Sequence, residues 1–267
     1  MFASPGAIAV ELGPLQIRWY GILMATAILV GFWLAHRRAV QEGLPADDII
    51  RAAQWGVVAG LVGARLYEVV FNWDYYGQVP WKIIAVWEGG LAMHGGLIVG
   101  PLVGGLLAWR WRVPVFRALD VIAPSMVLGQ AIGRWGNFFN EEAFGAPTDL
   151  PWRLYISPAH RPADFQQFEF FHPTFLYESL WNLAVFAALV LWIRPWIGRY
   201  PGAVFFAYIG LYSVGRFFIE AVRLDSFWVA GFRVAQVAGV VGMIVASVGL
   251  AGVCRRSSDR SRTSRSS

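Results

Sequence analysis

The stretch GRWGNFFNEEAFG, residues 133–145, decides how the rest of the chain reads. Long apolar segments flank it, yet within a few positions it carries Arg134, Asn137, Asn140, Glu141 and Glu142, with glycines at 133, 136 and 145. Charged and amide groups are costly at membrane depth, so there they face a protein interior or a water-filled cavity where they have partners. Glycine lets the backbone turn tightly or approach a ligand that a side chain would hold off. The stretch therefore reads as the centre of a polar chamber inside a membrane protein, suited to an anionic group.

Composition supports that setting. The chain of 267 residues is 57% hydrophobic and only 15% charged, whereas a soluble domain is roughly a quarter charged. The class is a polytopic, all-α membrane protein, and its 14 Trp fit the aromatic belts found at membrane interfaces. A net charge of +5 does not imply nucleic acid, because the basic residues occur in short clusters between apolar segments. Cys254 is the single cysteine, which excludes an internal disulfide and a cysteine metal cluster. There is no HExxH, no phosphate-loop context for the glycines and no GxSxG elbow. No metal or cofactor is expected, and in an enzyme the nucleophile would come from the substrate.

Working outward, the residues before Leu15 lack the basic and apolar regions of a cleaved signal peptide, so none is expected. Seven spans follow, near residues 17–35, 49–71, 91–109, 118–132, 173–193, 202–219 and 230–253. An aromatic loop, 72–90, carries Trp73, Tyr75, Tyr76, Trp81 and Trp87. Residues 137–171 are polar and proline-punctuated and read as an outer-face segment. Residues 1–253 thus form one catalytic domain, and 254–267 an arginine-rich tail whose composition predicts disorder.

The charges orient the spans. Arg37, Arg38 and Arg51, then Arg110, Arg112 and Arg117, then Arg194 and Arg199, and finally the tail all fall on one side of a seven-span topology. By the positive-inside rule the N-terminus is outside and the C-terminus cytoplasmic. The 133–145 stretch, the 137–171 segment and the aromatic loop then share the outer half.

The remaining arginines carry the chemistry. Arg134 ends the fourth span, and Arg216 lies late in the sixth with Tyr212 four residues before it and Glu220 four after, on one helix face. Glu220 can neutralise Arg216 for packing alone, but several guanidiniums near one face exceed what a packing pair requires, and their forks match phosphate. Arg65 and Glu68 can pair structurally or serve the site. His94, in AMHGG, can be an interfacial hydrogen-bonding residue or a proton acceptor, and Gly95 and Gly96 beside it point to a close approach. His172 precedes Pro173 at the start of the fifth span and reads as a positioning residue. Tyr177 and Glu178 can add contacts or satisfy Arg134.

Five motifs, in order, resemble the bacterial prolipoprotein diacylglyceryl transferases. They are Arg18 to Gly21 (RWYG), His94 to Gly96 (HGG), Gly133 to Gly145, His172 to Glu178 (HPTFLYE), and Tyr212, Arg216 and Glu220. The resemblance covers about residues 15–250 and shows no departure at the motif positions. It implies transfer of the diacylglyceryl group of phosphatidylglycerol to the lipobox cysteine of a prolipoprotein signal peptide. The products are a thioether and glycerol-1-phosphate, and the reaction occurs at the outer leaflet of the bacterial cytoplasmic membrane.

Within that reading, Arg134 and Arg216 hold the leaving phosphate, and His94 is either the base for the thiol or a headgroup ligand. Asn137 and Asn140 bind the headgroup or hold the loop, while Glu142 and Glu220 orient arginines. Tyr20 and Tyr212 contact lipid or headgroup. Gly145, His172 and Tyr177 complete the substrate-binding set, and a monomer is favoured. A transporter of a lipid or small anion is the competing expectation, since it too would place arginines in the membrane.

Overall fold

The apolar runs become helices because, without water, a chain segment must satisfy its own backbone hydrogen bonds. In the computed structural model, which describes residues 2–13, 15–86 and 89–263, the long helices are α1 (Trp19–Gln41), α2 (Ala46–Phe71), α3 (Met93–Arg110), α4 (Val115–Asn140), α5 (Thr174–Ala188), α6 (Ala203–Glu220) and α7 (Val234–Thr263). α5 continues through a wider π-type turn, Leu189–Ile193, into Arg194–Ile197. Six helices are long and apolar enough to cross a membrane. The exception to the seven expected spans is α3. At 18 residues, about 27 Å long, it is near the minimum length, and His94, Pro101 and its glycines dilute its apolar character.

Three further differences from the sequence reading have physical causes. α4 extends past the expected end at residue 132 to Asn140, so most of the polar stretch is helix, and Arg134 and Asn137 lie one turn apart. Short strands accompany the helices: β1 (Phe2–Ala3), β2 (Ile8–Leu12), β3 (Leu15–Arg18), β4 (Leu154–Tyr155), β5 (Phe170–Phe171), β6 (Trp228–Val229) and β7 (Phe232–Arg233). Most are two residues long, too short for alternation to reveal. The basic tail, expected to be disordered from residue 254, is helical to Thr263 as a continuation of α7. Its last residues, with Arg265, and Trp87 of the aromatic loop lie outside the described residues.

The chain divides into two compact units, Met1–Leu34 with Leu119–Ser267, and Ala35–Ala118. In the first, Ala123 and Val127 of α4, Val185 and Leu189, and Val204, Ala207 and Tyr208 of α6 form a buried apolar cluster. Asp120 of α4 fastens this bundle from below α6. Its carboxylate accepts hydrogen bonds from the backbone N–H groups of Gly202 (2.7 Å) and Phe205 (3.0 Å), the orphan donors at that helix start.

The outer-face segment folds on a second apolar cluster of Phe144, Leu154, Ile156, Phe171 and Phe175. β4 is the centre of a three-stranded sheet, parallel to β1 and antiparallel to β5. This sheet ties the segment into the unit that contains Arg134.

In the second unit α2 and α3 meet along glycines. A Cβ at Gly56 would meet the carbonyl oxygen of Gly100 at 3.1 Å, and one at Gly63 would lie 2.5 Å from Val99 Cβ. Small residues let membrane helices approach this closely, where packing replaces the missing hydrophobic drive.

Candidate functional site

Arg134 reaches inward from the last turns of α4 to Glu178 on α5, its Nε forming an ion pair with Glu178 Oε2. Glu178 is buried, and its other oxygen, Oε1, accepts hydrogen bonds from Arg216 Nη1 on α6 (2.8 Å) and from Arg223 Nη1 just beyond α6 (2.8 Å). One carboxylate therefore gathers guanidiniums from three parts of the chain. Arg216 Nη2 lies 2.6 Å from Glu220 Oε2, an ion pair without hydrogen-bond alignment. Arg223 is closed off on its other edge by Asp225, through Nε at 2.9 Å and Nη2 at 2.6 Å. Burial would lower the Arg223 pKa, but the hydrogen bonds and charges of Asp225 and Glu178 outweigh it and hold it raised.

The three cations are not equivalent. Arg216 has both terminal nitrogens engaged by carboxylates, and Arg223 has all three engaged. Arg134 is bound through Nε only, so among the described residues its Nη1 and Nη2 have no partner. Its side chain keeps 23% exposure, enough for that two-pronged end to meet a ligand. Two parallel N–H groups on one guanidinium match two oxygens of a phosphate.

The 137–145 stretch is held beside this cluster. Glu142 Oε1 accepts from Asn137 Nδ2 (2.8 Å) and Asn140 Nδ2 (3.4 Å). Glu142 thus orients the two asparagines; the expected task of orienting Arg134 is done by Glu178 instead, because Glu178 faces it from α5. Asn140 Oδ1 is buried without a hydrogen-bond partner. Glu141 and Ala143 take left-handed backbone, with φ of 52° and 56°, a costly choice for residues with a side chain. Gly145 is wedged between two strands of chain. Its N–H donates to the carbonyl of His172 (2.9 Å), and a Cβ on it would lie 2.7 Å from the carbonyl oxygen of Val222. That contact seats the turn carrying Arg223.

The other expected residues surround these. The Tyr20 ring packs against Gly136, where an added Cβ would lie 2.5 Å from its Cδ2. His172 Nδ1 is 3.1 Å from the Tyr177 hydroxyl, which also accepts from Trp152 Nε1 (2.9 Å). Burial lowers the His172 pKa, so its ring is neutral at pH 7. Tyr212 lines a cavity of about 10 Å³ with Glu178, Asn182 and Arg216, room for one water. Asn182, one turn after Glu178, was missed by the sequence reading, although a buried amide in an apolar helix was a usable signal.

His94 belongs to the second unit, at the start of α3, and is exposed. Its ring lies 5.9 Å from that of Tyr67, and among the described residues its nitrogens have no hydrogen-bond partner. Arg65, which could have paired with Glu68, instead donates to the carbonyls of Lys82, Ile83 (3.0 Å), Ala85 (3.3 Å), Gly89 (2.6 Å) and Gly90 (2.6 Å). Glu68 accepts from Asn72. Arg65 is therefore a fastener of the 82–90 loop.

Comparison with known proteins gives one consistent result. Residues 7–252 match the family model described as prolipoprotein diacylglyceryl transferase. The chain is 49% identical over 259 residues to the phosphatidylglycerol–prolipoprotein diacylglyceryl transferase of Trichormus variabilis, covering 94% of this chain and 90% of that protein. It is 45% identical over 249 residues to the protein of the same name from Thermosynechococcus vestitus, covering 93% and 92%. For that of Gloeobacter violaceus the identity is 44% over 257 residues, covering 96% of each.

Proposed function

The chain belongs to the prolipoprotein diacylglyceryl transferase family, and from that membership and its site we propose that it moves the diacylglyceryl group of phosphatidylglycerol to a prolipoprotein cysteine. The observation that carries the reading is the arginine cluster around Glu178, with the two terminal nitrogens of Arg134 left for an anion.

The chemistry is a displacement at the glycerol carbon bonded to the phosphate oxygen. The acceptor thiol loses its proton, its sulfur forms the new C–S bond, and the C–O bond breaks with its electron pair on the departing glycerol-1-phosphate. Charge grows on that phosphate as the bond breaks, so fixed guanidiniums stabilise the transition state more than the ground state. Arg134 takes phosphate oxygens with its fork, and Arg216 adds charge behind it. The thiol, with an ordinary pKa of about 8.5, needs a base near neutral pH. His94, exposed and without a hydrogen-bond partner among the described residues, is the side chain we assign to that role. Asn137, Asn140 and Glu142 offer amide and carboxylate groups to the hydroxyls of the headgroup, with Tyr20 beside them. Tyr212, Glu220, Gly145, His172 and Tyr177 hold the binding surface.

The acceptor is a lipobox cysteine, and the reaction takes place at the outer leaflet of the bacterial cytoplasmic membrane. There the protein spans the bilayer with seven helices, N-terminus outside, and acts as a monomer. The positive-inside distribution of arginines supports this placement.

The test uses purified protein, phosphatidylglycerol and a synthetic lipobox peptide, with mass spectrometry of the peptide. A gain of one diacylglyceryl group is expected. It should vanish when the peptide cysteine is replaced by serine and fall at least about 100-fold for Arg134→Ala, the scale of losing one transition-state donor. Folded protein that modifies no peptide with any phospholipid would end the reading.

A further inference from the structure

The family-like motifs carry Glu141, Glu142, Glu178 and Glu220, and neither Glu142 nor Glu220 contacts Arg134. The carboxylate that does is Glu178, on α5, and it also touches Arg216 and Arg223. We propose that Glu178 is the positioning residue of the transfer reaction, a shared acceptor that holds Arg134 by Nε and so presents its Nη1 and Nη2 as a fork to the departing phosphate. This inference rests on the phosphate role of Arg134 and Arg216 given above.

The argument is one of valence. An arginine offers five N–H groups in a rigid plane, and the edge that is engaged fixes which edge remains. With Nε of Arg134 on Glu178 Oε2, the end of the fork is the edge left over. Glu178 cannot tilt to follow Arg134, because Oε1 is tied to Arg216 and Arg223, each at 2.8 Å. Arg223 is in turn anchored by Asp225, and its turn is seated against Gly145. The chain of contacts runs from the outer-face stretch through Arg223 and Glu178 to the guanidinium that meets the substrate. Arg223 also supplies charge. Glu220 and Asp225 take up the other edges of Arg216 and Arg223, so the unengaged positive edge of the cluster is the Nη1 and Nη2 end of Arg134.

The expected signature separates positioning from packing. In Glu178→Gln the amide nitrogen opposes either Arg134 or the Arg216 and Arg223 pair, donor against donor. kcat should fall by about 10- to 100-fold, the cost of misplacing a reacting group by about an ångström, with KM for phosphatidylglycerol rising far less. Glu178→Asp keeps the charge and two acceptors and should recover at least about tenfold of that kcat. Turnover is counted per folded molecule, from the monodisperse peak in size-exclusion chromatography.

A kcat per folded molecule equal to wild type in Glu178→Gln overturns the proposal, as does Glu178→Asp no better than Glu178→Gln. If the Glu178 variants do not fold, Arg134→Lys decides. A lysine held by Glu178 has one nitrogen and no fork, so its activity should match that of Arg134→Ala, and retention of more than a tenth of wild-type kcat removes the fork argument. Failure of the wild-type protein to transfer at all is a different result, and it overturns the function and not the geometry.

Discussion

His172 shows how burial at a single residue becomes a pH effect. Its pKa is lowered by desolvation, and its Nδ1 is bonded with the Tyr177 hydroxyl. A free imidazole protonates near pH 6.5, while the folded one resists protonation. Below the unfolded value the unfolded chain binds more protons than the folded one, so stability falls as pH drops. The contribution is therefore fully present above about pH 6.5 and is lost as pH falls through the lower, folded value. Thermal unfolding in detergent from pH 7.5 to 5 should show the wild type losing more stability than His172→Asn. Parallel curves would exclude a role for this ring. That Arg134 and Arg216 belong together was legible in the motifs, and both reach Glu178. Which acid serves which arginine stayed open in the sequence, where Glu142 and Glu178 were both candidates for Arg134, and the pairing of α4 with α5 chooses Glu178.

At the scale of elements, the decisive contact is between α2 and α3. Gly95, directly after His94, sits so close to α2 that an added Cβ would collide with the backbone of Gly63 and with Tyr67. Gly105, on the same helix, would meet nothing within 4 Å. Gly95→Ala should cost about 1–3 kcal/mol of stability, the usual scale of overpacking, and lower turnover by moving His94. Gly105→Ala should alter neither. Denaturation and kcat on both variants check this, and equal behaviour would mean that α3 is not seated as described. Apolar length revealed the helices well, since solvent exclusion dictates them. α4 runs further than the sequence suggests because Asn137 and Asn140, assigned there to the outer-face segment, are satisfied by Glu142 while the helix continues. The strands were illegible, because pairs such as Leu154 with Phe171 are set by partners far along the chain.

For the whole molecule, charge supplies the orientation that helices alone do not. Arg110 ends α3, Arg112 lies in the turn after it, Arg117 is at the start of α4, and Arg255 lies in α7. Reporter fusions after Arg112 and after Ser267 should both read as cytoplasmic, and one within 158–165 as external, provided that α3 crosses the bilayer. A cytoplasmic signal from 158–165 would reverse the topology and separate the arginine cluster from the outer leaflet. Six helices meet the demands of length and apolarity outright, and α3 falls short for the same glycines that let it pack on α2.

The loop fastened by Arg65 has a consequence of its own. Its described bonds run to carbonyl oxygens, and the guanidinium stacks 5.0 Å from the ring centroid of Tyr76. Carbonyls do not titrate, whereas carboxylates in their place would. Acid therefore has nothing to protonate away in these bonds, and the clasp keeps Ile83, Ala85, Gly89 and Gly90 in place as pH falls.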